Sequence, residues 1–421
     1  MKFKFRILSL LILISIVATS LSSCFFFDVV SSSSGKDGNG GNTTINTGDI
    51  KNHEININSS SEETVLATSK ALMSSVSIYT EASAGSGVIF KLNADKGEAY
   101  ILTNYHVVYN AKKQAVCTDI KLCLYGMEMI NYAMDAEYLG GTMEFDLAVL
   151  KITGSPVLMS SNAIACEFAD SNKIAVLETA IAVGNANGEG ISATLGRVNV
   201  DSEQIDILGA DERTSLEDFR VLRTDAAVNS GNSGGGLFNS KGEVIGIVNA
   251  KSIDSKVDNI GYAIPSNVAK YIAENIIYYC DGHNGIHSAY QCMLGISVQV
   301  SELYTEYDNE TGILHKKEKI KIVEIKEDSA AEKGTIVKTE EDSAEDDVKK
   351  GLAVDDIINS ITIDGTKYEV SRIFHVVDAM LNARVGSDVT VNVTRAGETK
   401  DVKIILTEND IEEADESLYK K

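Results

Sequence analysis

The chain has 421 residues, 44% of them apolar and 24% charged, which is enough for two or three folded units with buried cores. Its formal net charge of −23 opposes approach to a polyphosphate, so nucleic acid is not an expected partner. The six histidines do not cluster with the six cysteines at zinc spacing, and neither a metal nor a cofactor is expected.

The N-terminus reads as an address. Lys2, Lys4 and Arg6 precede an uncharged apolar stretch, residues 7–21, which is short for a membrane span of ~20 residues. It ends in Leu21-Ser22-Ser23-Cys24, a pattern that resembles a bacterial lipobox. In that class residues 1–23 are a signal peptide and Cys24 becomes the lipidated first residue. The alternative is an uncleaved signal anchor. Both place the folded part outside the cytoplasm, at a membrane. Lipidation would leave an odd number of cysteines, so no complete disulfide framework is expected. Cys280 and Cys292 flank a polar connector, and whether they pair stays open.

Residues 24–62 are rich in Ser, Gly, Asn and Thr and read as a flexible tether. Residues 63–279 show many short β-type runs broken by Gly, Asn and Asp, among them Leu147-Ala148-Val149-Leu150-Lys151-Ile152 and Val244-Ile245-Gly246-Ile247-Val248. That spacing predicts an all-β barrel or sandwich, closed by a helix over residues 267–279. A polar connector, residues 280–292, leads to a second unit over 293–408, with strands at 294–298, 320–325 and 389–393 and a helix over 372–383. The acidic run 339–347 reads as a solvated loop, and residues 409–421 as a tail.

Gly231-Asn232-Ser233-Gly234-Gly235-Gly236 is the most informative segment. A nucleophilic serine needs an exposed hydroxyl and backbone N–H groups aimed at the developing oxyanion, here those of Gly231 and Ser233. Glycines permit the tight turn, although most Gly-rich loops are plain turns. Between Glu54 and Gly282 the only histidine is His106, after the apolar run that ends at Leu102. A lone histidine is more commonly structural. Asp146, directly before the apolar strand that starts at Leu147, is costly to bury without a partner and fits the carboxylate that orients a base. Three weak signals in the order His, Asp, Ser within one β-rich region reinforce each other.

The segments Thr103-Asn104-Tyr105-His106-Val107, Asp146-Leu147-Ala148-Val149-Leu150-Lys151, Thr224-Asp225-Ala226-Ala227-Val228-Asn229, Gly231-Asn232-Ser233-Gly234-Gly235 and Gly261-Tyr262-Ala263-Ile264-Pro265-Ser266 resemble the HtrA/Deg family of trypsin-like proteases. The resemblance implies a mostly β chain: a double β-barrel with the triad in the cleft between barrels, followed by a PDZ-like α+β domain. It implies ATP-independent cleavage of unfolded or misfolded proteins, and commonly trimers. Ser230 and Gly236 stand where the family often has Pro; neither change removes a catalytic atom. Asn232 stands where digestive relatives keep an Asp that pairs with a new N-terminus.

Met293-Leu294-Gly295-Ile296 resembles the carboxylate-binding loop of a PDZ domain, with Leu294, Gly295 and Ile296 offering N–H groups to a peptide C-terminus. Ser329-Ala330-Ala331-Glu332-Lys333-Gly334 and the run from Gly351 to Ile358 also match that core. For the substrate pocket, Ala227 lies six positions before Ser233, where a trypsin-type enzyme places an acidic floor. A neutral floor predicts cleavage after small or medium aliphatic residues. Val248, Asn249, Ala250, Ile253 and Ile260 are wall candidates, and Asp225 is expected to point away. The competing reading is a peptide-binding, chaperone-like envelope protein whose protease site mostly rests. A third, a catalytically empty scaffold, would need none of the three residues.

Overall fold

The computed structural model describes residues 60–250, 260–283, 285–337 and 351–415; the leader, Cys24, the tether up to residue 59, Ile253 and the acidic run 339–347 lie outside the described residues. After a helix α1 (Ser60–Met73), which the polar composition did not announce, the first sheet contains β1 (Ser75–Thr80), β2 (Ala84–Asn93), β3 (Glu98–Thr103), β4 (Ile120–Leu124), β5 (Met134–Asp135), β6 (Glu137–Thr142) and β7 (Leu147–Ile152), in the order β5-β4-β1-β2-β3-β7-β6. A short helix α2 (Tyr105–Val108) follows β3.

The second sheet contains β8 (Glu167–Phe168), β9 (Thr179–Gly184), β10 (Ser192–Leu208), β11 (Ser215–Thr224), β12 (Gly236–Phe238), β13 (Glu243–Asn249) and β14 (Gly261–Pro265). Its order is β8-β13-β12-β9-β10-β11-β14, and β13 also pairs with β14, which closes the sheet on itself. Helix α3 (Ser266–Cys280) starts directly after Pro265.

The strands read as continuous apolar runs because both faces are covered. On β3, Ile101 packs inside the first sheet with Val76, Ile78, Ile89 and Leu150. Its neighbour Leu102 points to the other face, where it joins Leu147, Val149, Ile181, Val183, Phe238 and Ile247. On β9, Ala180 and Ala182 fill the inside of the second sheet with Leu222, Leu237 and Ile245. The core that contains Leu102 and Ile181 therefore glues the two sheets together, and α3 adds Val268, Ile272 and Ile276 to it. The resulting double barrel is the trypsin-like arrangement.

The second unit has its own core, which includes Ile320, Ile322, Ile358, Val391 and Val402. Its strands are β15 (Tyr290–Cys292), β16 (Ile296–Tyr307), β17 (Leu314–Ile325), β18 (Thr335–Ile336), β19 (Ile357–Ile363), β20 (Thr366–Glu369), β21 (Asp388–Arg395), β22 (Glu398–Ile405) and β23 (Ile411–Glu413), with helices α4 (Ala330–Lys333) and α5 (His375–Met380). The main sheet runs β16-β17-β19-β21-β22-β18, so β16 is an edge. The stretch read as a connector ends in β15, which pairs antiparallel with β23 inside the stretch read as a tail.

The helix expected over 372–383 is confined to α5. Its intended first turn is diverted: Ser371 N–H donates to His375 Nδ1 and Ile373 N–H to a Glu318 oxygen, so those amides serve side chains. Cys280 and Cys292 are both free, buried thiols, and burial pushes each up to about 11. Across the two units, the Arg220 guanidinium of β11 lies 3.6 Å over the Phe374 ring and pairs with Asp378 of α5.

Candidate active site

β3 ends at Thr103, and the chain turns into α2, which presents His106. The turn is held from the start of β7. Asn104, at the helix N-cap, does not cap the helix; its amide donates to the Asp146 carbonyl at 2.9 Å, and Tyr105 N–H donates to the same carbonyl at 3.1 Å. Asp146 is 1% exposed and adopts a left-handed backbone, φ 48°. Its carboxylate accepts from His106 N–H at 3.0 Å through Oδ1 and lies 2.7 Å from His106 Nδ1 through Oδ2. The same Oδ2 accepts from the Asn249 side-chain amide at 2.9 Å. Three donors on a buried carboxylate offset its desolvation and fix it in place.

Ser233 comes from the other barrel, between β11 and β12. Two glycines make its loop possible. Gly231 has φ 95°, and a Cβ there would stand 2.2 Å from the Asn185 carbonyl oxygen; Gly234 has φ 83°, and a Cβ there would stand 2.2 Å from both Ser86 O and Thr103 Oγ1. Ser86 is the link that the sequence did not reveal. Its hydroxyl donates to Gly231 O at 2.7 Å and accepts from Asn185 N–H at 2.7 Å, while its own N–H donates to Ser233 O at 2.9 Å. Thr103 Oγ1 donates to Ser86 O at 2.7 Å, so the Ser233 loop is tied to the strand that leads into His106. Only one of several serines in β-type runs, Ser86 carried no signal such as a flanking motif.

The Ser230 carbonyl accepts from Asn187 N–H at 2.8 Å and so does not fold back on Ser233. Among the described residues the backbone N–H groups of Gly231 and Ser233 have no acceptor and remain available. Ser233 Oγ accepts from Ala250 N–H at 3.1 Å, and among the described residues no hydrogen bond joins it to His106. His106 and Asp146 are thus brought together directly, and Ser233 joins them through the Ser86–Thr103 strand link.

Of the pocket candidates, Ala227 is exposed, with its carbonyl accepting from Thr194 Oγ1 at 2.8 Å. Val248 is fully buried in the second barrel. Asn249, expected in the pocket wall, turns its amide to Asp146 instead. Ala250 flanks Ser233 through its N–H, and Ile260 is exposed. Asp225 accepts from Arg197 N–H at 2.6 Å, which engages its carboxylate with β10.

In the second unit, Gly295 has φ 75°, and among the described residues the N–H groups of Leu294 and Gly295 have no acceptor. Leu294, Gly295, Ile296, Val298, Val376 and Met380 line one side of a cavity of about 620 Å³, whose other side is formed by first-unit residues that include Phe145, Leu216, Phe219 and Arg220. Among the described residues no group of His, Cys, Asp and Glu is arranged to hold a metal ion.

Residues 85–247, which span both barrels, match the family model for the trypsin-like peptidase domain. The serine protease Do-like HtrB of Bacillus subtilis (strain 168) is 34% identical over 330 residues, covering 76% of this chain and 62% of that protein. The serine protease Do-like HtrA of the same organism is 38% identical over 200 residues, 47% of this chain and 40% of that protein. The periplasmic pH-dependent serine endoprotease DegQ of Escherichia coli (strain K12) is 38% identical over 204 residues, 48% of this chain and 39% of that protein. The chain thus spans less than two thirds of the length of these curated relatives. A solved structure, the HtrA-type protease AlgW with tripeptide, is 26% identical with a TM-score of 0.51, and the match covers 82% of this chain and 96% of that one. The chain belongs to the HtrA/Deg family of trypsin-like serine proteases.

Proposed function

We propose that this chain is a serine endopeptidase of the cell envelope that cleaves unfolded or misfolded proteins, with Ser233 as nucleophile, His106 as general base and Asp146 as the carboxylate that orients it. The observation that carries the reading is the buried Asp146 carboxylate, bonded at 2.7 Å to His106 Nδ1. A carboxylate on Nδ1 holds the imidazole with its proton there, which leaves Nε2 unprotonated to take a proton. Ser233 Oγ then attacks the substrate carbonyl carbon and gives its proton to His106. The tetrahedral oxygen is received by the N–H groups of Gly231 and Ser233. His106 returns the proton to the leaving amine, and water repeats the sequence on the acyl-enzyme. Among the described residues Ser233 Oγ accepts from Ala250 N–H and is not hydrogen-bonded to His106, which favours a second reading: a site that rests until substrate arrives, in a protein that otherwise captures peptides.

The second unit serves capture. A peptide C-terminus entering the cavity meets the unpaired N–H groups near Gly295, while its backbone extends the β16 edge and α5 forms the other wall. On this reading residues 63–279 are a protease domain and 293–408 a PDZ-like domain, while 280–292 and 409–415 are not a free linker and tail, since β15 pairs with β23. Lipidation at Cys24 would hold the chain at the membrane, and assembly as a trimer is the expected form; Cys24→Ser should abolish acyl labelling.

The test of the triad is non-additivity. Ser233→Ala and His106→Ala should each lower turnover by ~10⁶ and Asp146→Asn by ~10⁴ while leaving the fold intact, and any double variant should be no slower than its worse parent. Doubles slower by the product of both effects would show that the three do not act as one unit.

A further inference from the structure

Asp146 has an unfavourable backbone for a non-glycine residue, and something must hold it there. The turn that delivers it is closed by Asp146 N–H donating to Met143 O at 3.2 Å. The amides at the start of this turn are satisfied from far away in the sequence. Asp415 Oδ1 accepts from Thr142 Oγ1 at 2.6 Å and from Glu144 N–H at 3.0 Å, and Asp415 Oδ2 accepts from Met143 N–H at 3.0 Å. One carboxylate therefore takes three donors from three consecutive residues and fixes the orientation of two successive peptide planes.

Asp415 is itself anchored. Ala414 is buried, and its N–H donates to Ala289 O at 2.9 Å. The preceding β23 is paired to β15, with Ser288 Oγ donating to Glu413. On the other side, Gly141 N–H donates to His287 O at 2.9 Å, so the end of β6 and the C-terminal segment share one support. The family match ends at residue 247, and Asp415 lies far beyond it.

We propose that Asp415 is a positioning residue for Asp146: the segment that follows the second unit completes the turn that aims the orienting carboxylate at His106. This rests on the peptidase reading above. Among the described residues Asp415 has no hydrogen bond to His106 or Ser233, so its loss loosens the geometry without removing a reacting group. A positional slip of about 1 Å costs up to ~10²-fold, well short of the ~10⁴-fold loss expected for removing the carboxylate function of Asp146.

The experiment uses the full chain and measures kcat and KM on an unfolded casein substrate, the thermal unfolding midpoint, and the low-field proton resonance of His106 Nδ1–H. Asp415→Ala should lower kcat ~10–100-fold with KM within about twofold, and should broaden the low-field resonance. Asp415→Asn, which keeps one acceptor oxygen, should fall between and serves if the alanine variant does not fold. Thr311→Ala, which removes a side-chain bond to Asp308 in an exposed loop of the second unit, is the remote control and should keep wild-type kcat. Unchanged kcat and resonance in both Asp415 variants, with an active wild type, overturn the inference alone. So does a loss of activity that only tracks the unfolded fraction. An inactive wild-type chain overturns the peptidase reading, and this inference with it.

Discussion

Asp146 collects more of the structure than any other single residue of the site. Its carbonyl anchors Asn104 and Tyr105, its carboxylate anchors His106 twice, and Asn249 approaches the same oxygen that faces His106. Asn249 therefore limits how far that oxygen can turn away from the imidazole. Asn249→Ala should lower kcat ~10-fold, equivalent to about 1.4 kcal/mol, and reduce stability by about 1–3 kcal/mol, because a buried carboxylate loses a donor. Steady-state kinetics and denaturant unfolding of the one variant check both numbers. His106 and Asp146 stood out as candidates in the sequence because each sits beside an apolar run that had to be a core strand, and Ser233 because of the glycines around it. Asn249 was legible only as a neighbour of the pocket, since a strand-end side chain can face either way and periodicity alone does not choose. Ser86 and Asp415 carried no signal: each acts through contacts with chain more than a hundred residues away, which no local pattern encodes.

Among the elements, α5 combines a candidate peptide wall with a buried titratable group. His375 is pushed down to about 3, first by burial and then by the nearby Arg220, Arg372 and Lys317 cations, against which Asp170 acts weakly. Its Nδ1 accepts from Ser371 N–H at 3.2 Å, which requires the unprotonated nitrogen. The unfolded chain takes up this proton near pH 6.5 and the folded chain does not, so this group withdraws stability as pH falls from about 6.5 towards about 3. The slope is at most about 1.4 kcal/mol per pH unit. His375→Asn, which keeps an acceptor, should flatten the pH dependence of unfolding over that range; an unchanged slope would remove His375 as its source. The same element shows where pattern reading failed. Residues 372–383 have helical spacing, but the chain is helical only over His375–Met380: the Glu318 side chain holds Ile373 N–H before it, and the Arg384 guanidinium takes the Leu381 and Ala383 carbonyls after it. By contrast β7 coincides with its expected span, residues 147–152, because an uninterrupted apolar run buried on both faces leaves no other solution.

At the scale of the molecule, the proposed function places two tasks on one chain, cleavage between the barrels and peptide capture in a groove beside β16 and α5. The groove's open N–H groups near Gly295 carry partial positive charge, so a peptide with a free, apolar C-terminus should bind the chain more tightly than its amidated form. Equal affinities in a titration of the two forms would remove the groove from the account. Peptide-bond cleavage through Ser233 is tested by incubating unfolded casein with the full chain beside Ser233→Ala and mapping the cuts by mass spectrometry. Cuts are expected mainly after Val, Ala or Ile, since the pocket candidates Ala227, Val248, Ala250 and Ile260 offer no carboxylate to a Lys or Arg side chain and the nearby Asp225 carboxylate is taken by Arg197 N–H. No cuts are expected in Ser233→Ala at the same unfolding midpoint. Cleavage that persists in Ser233→Ala would contradict the role of Ser233.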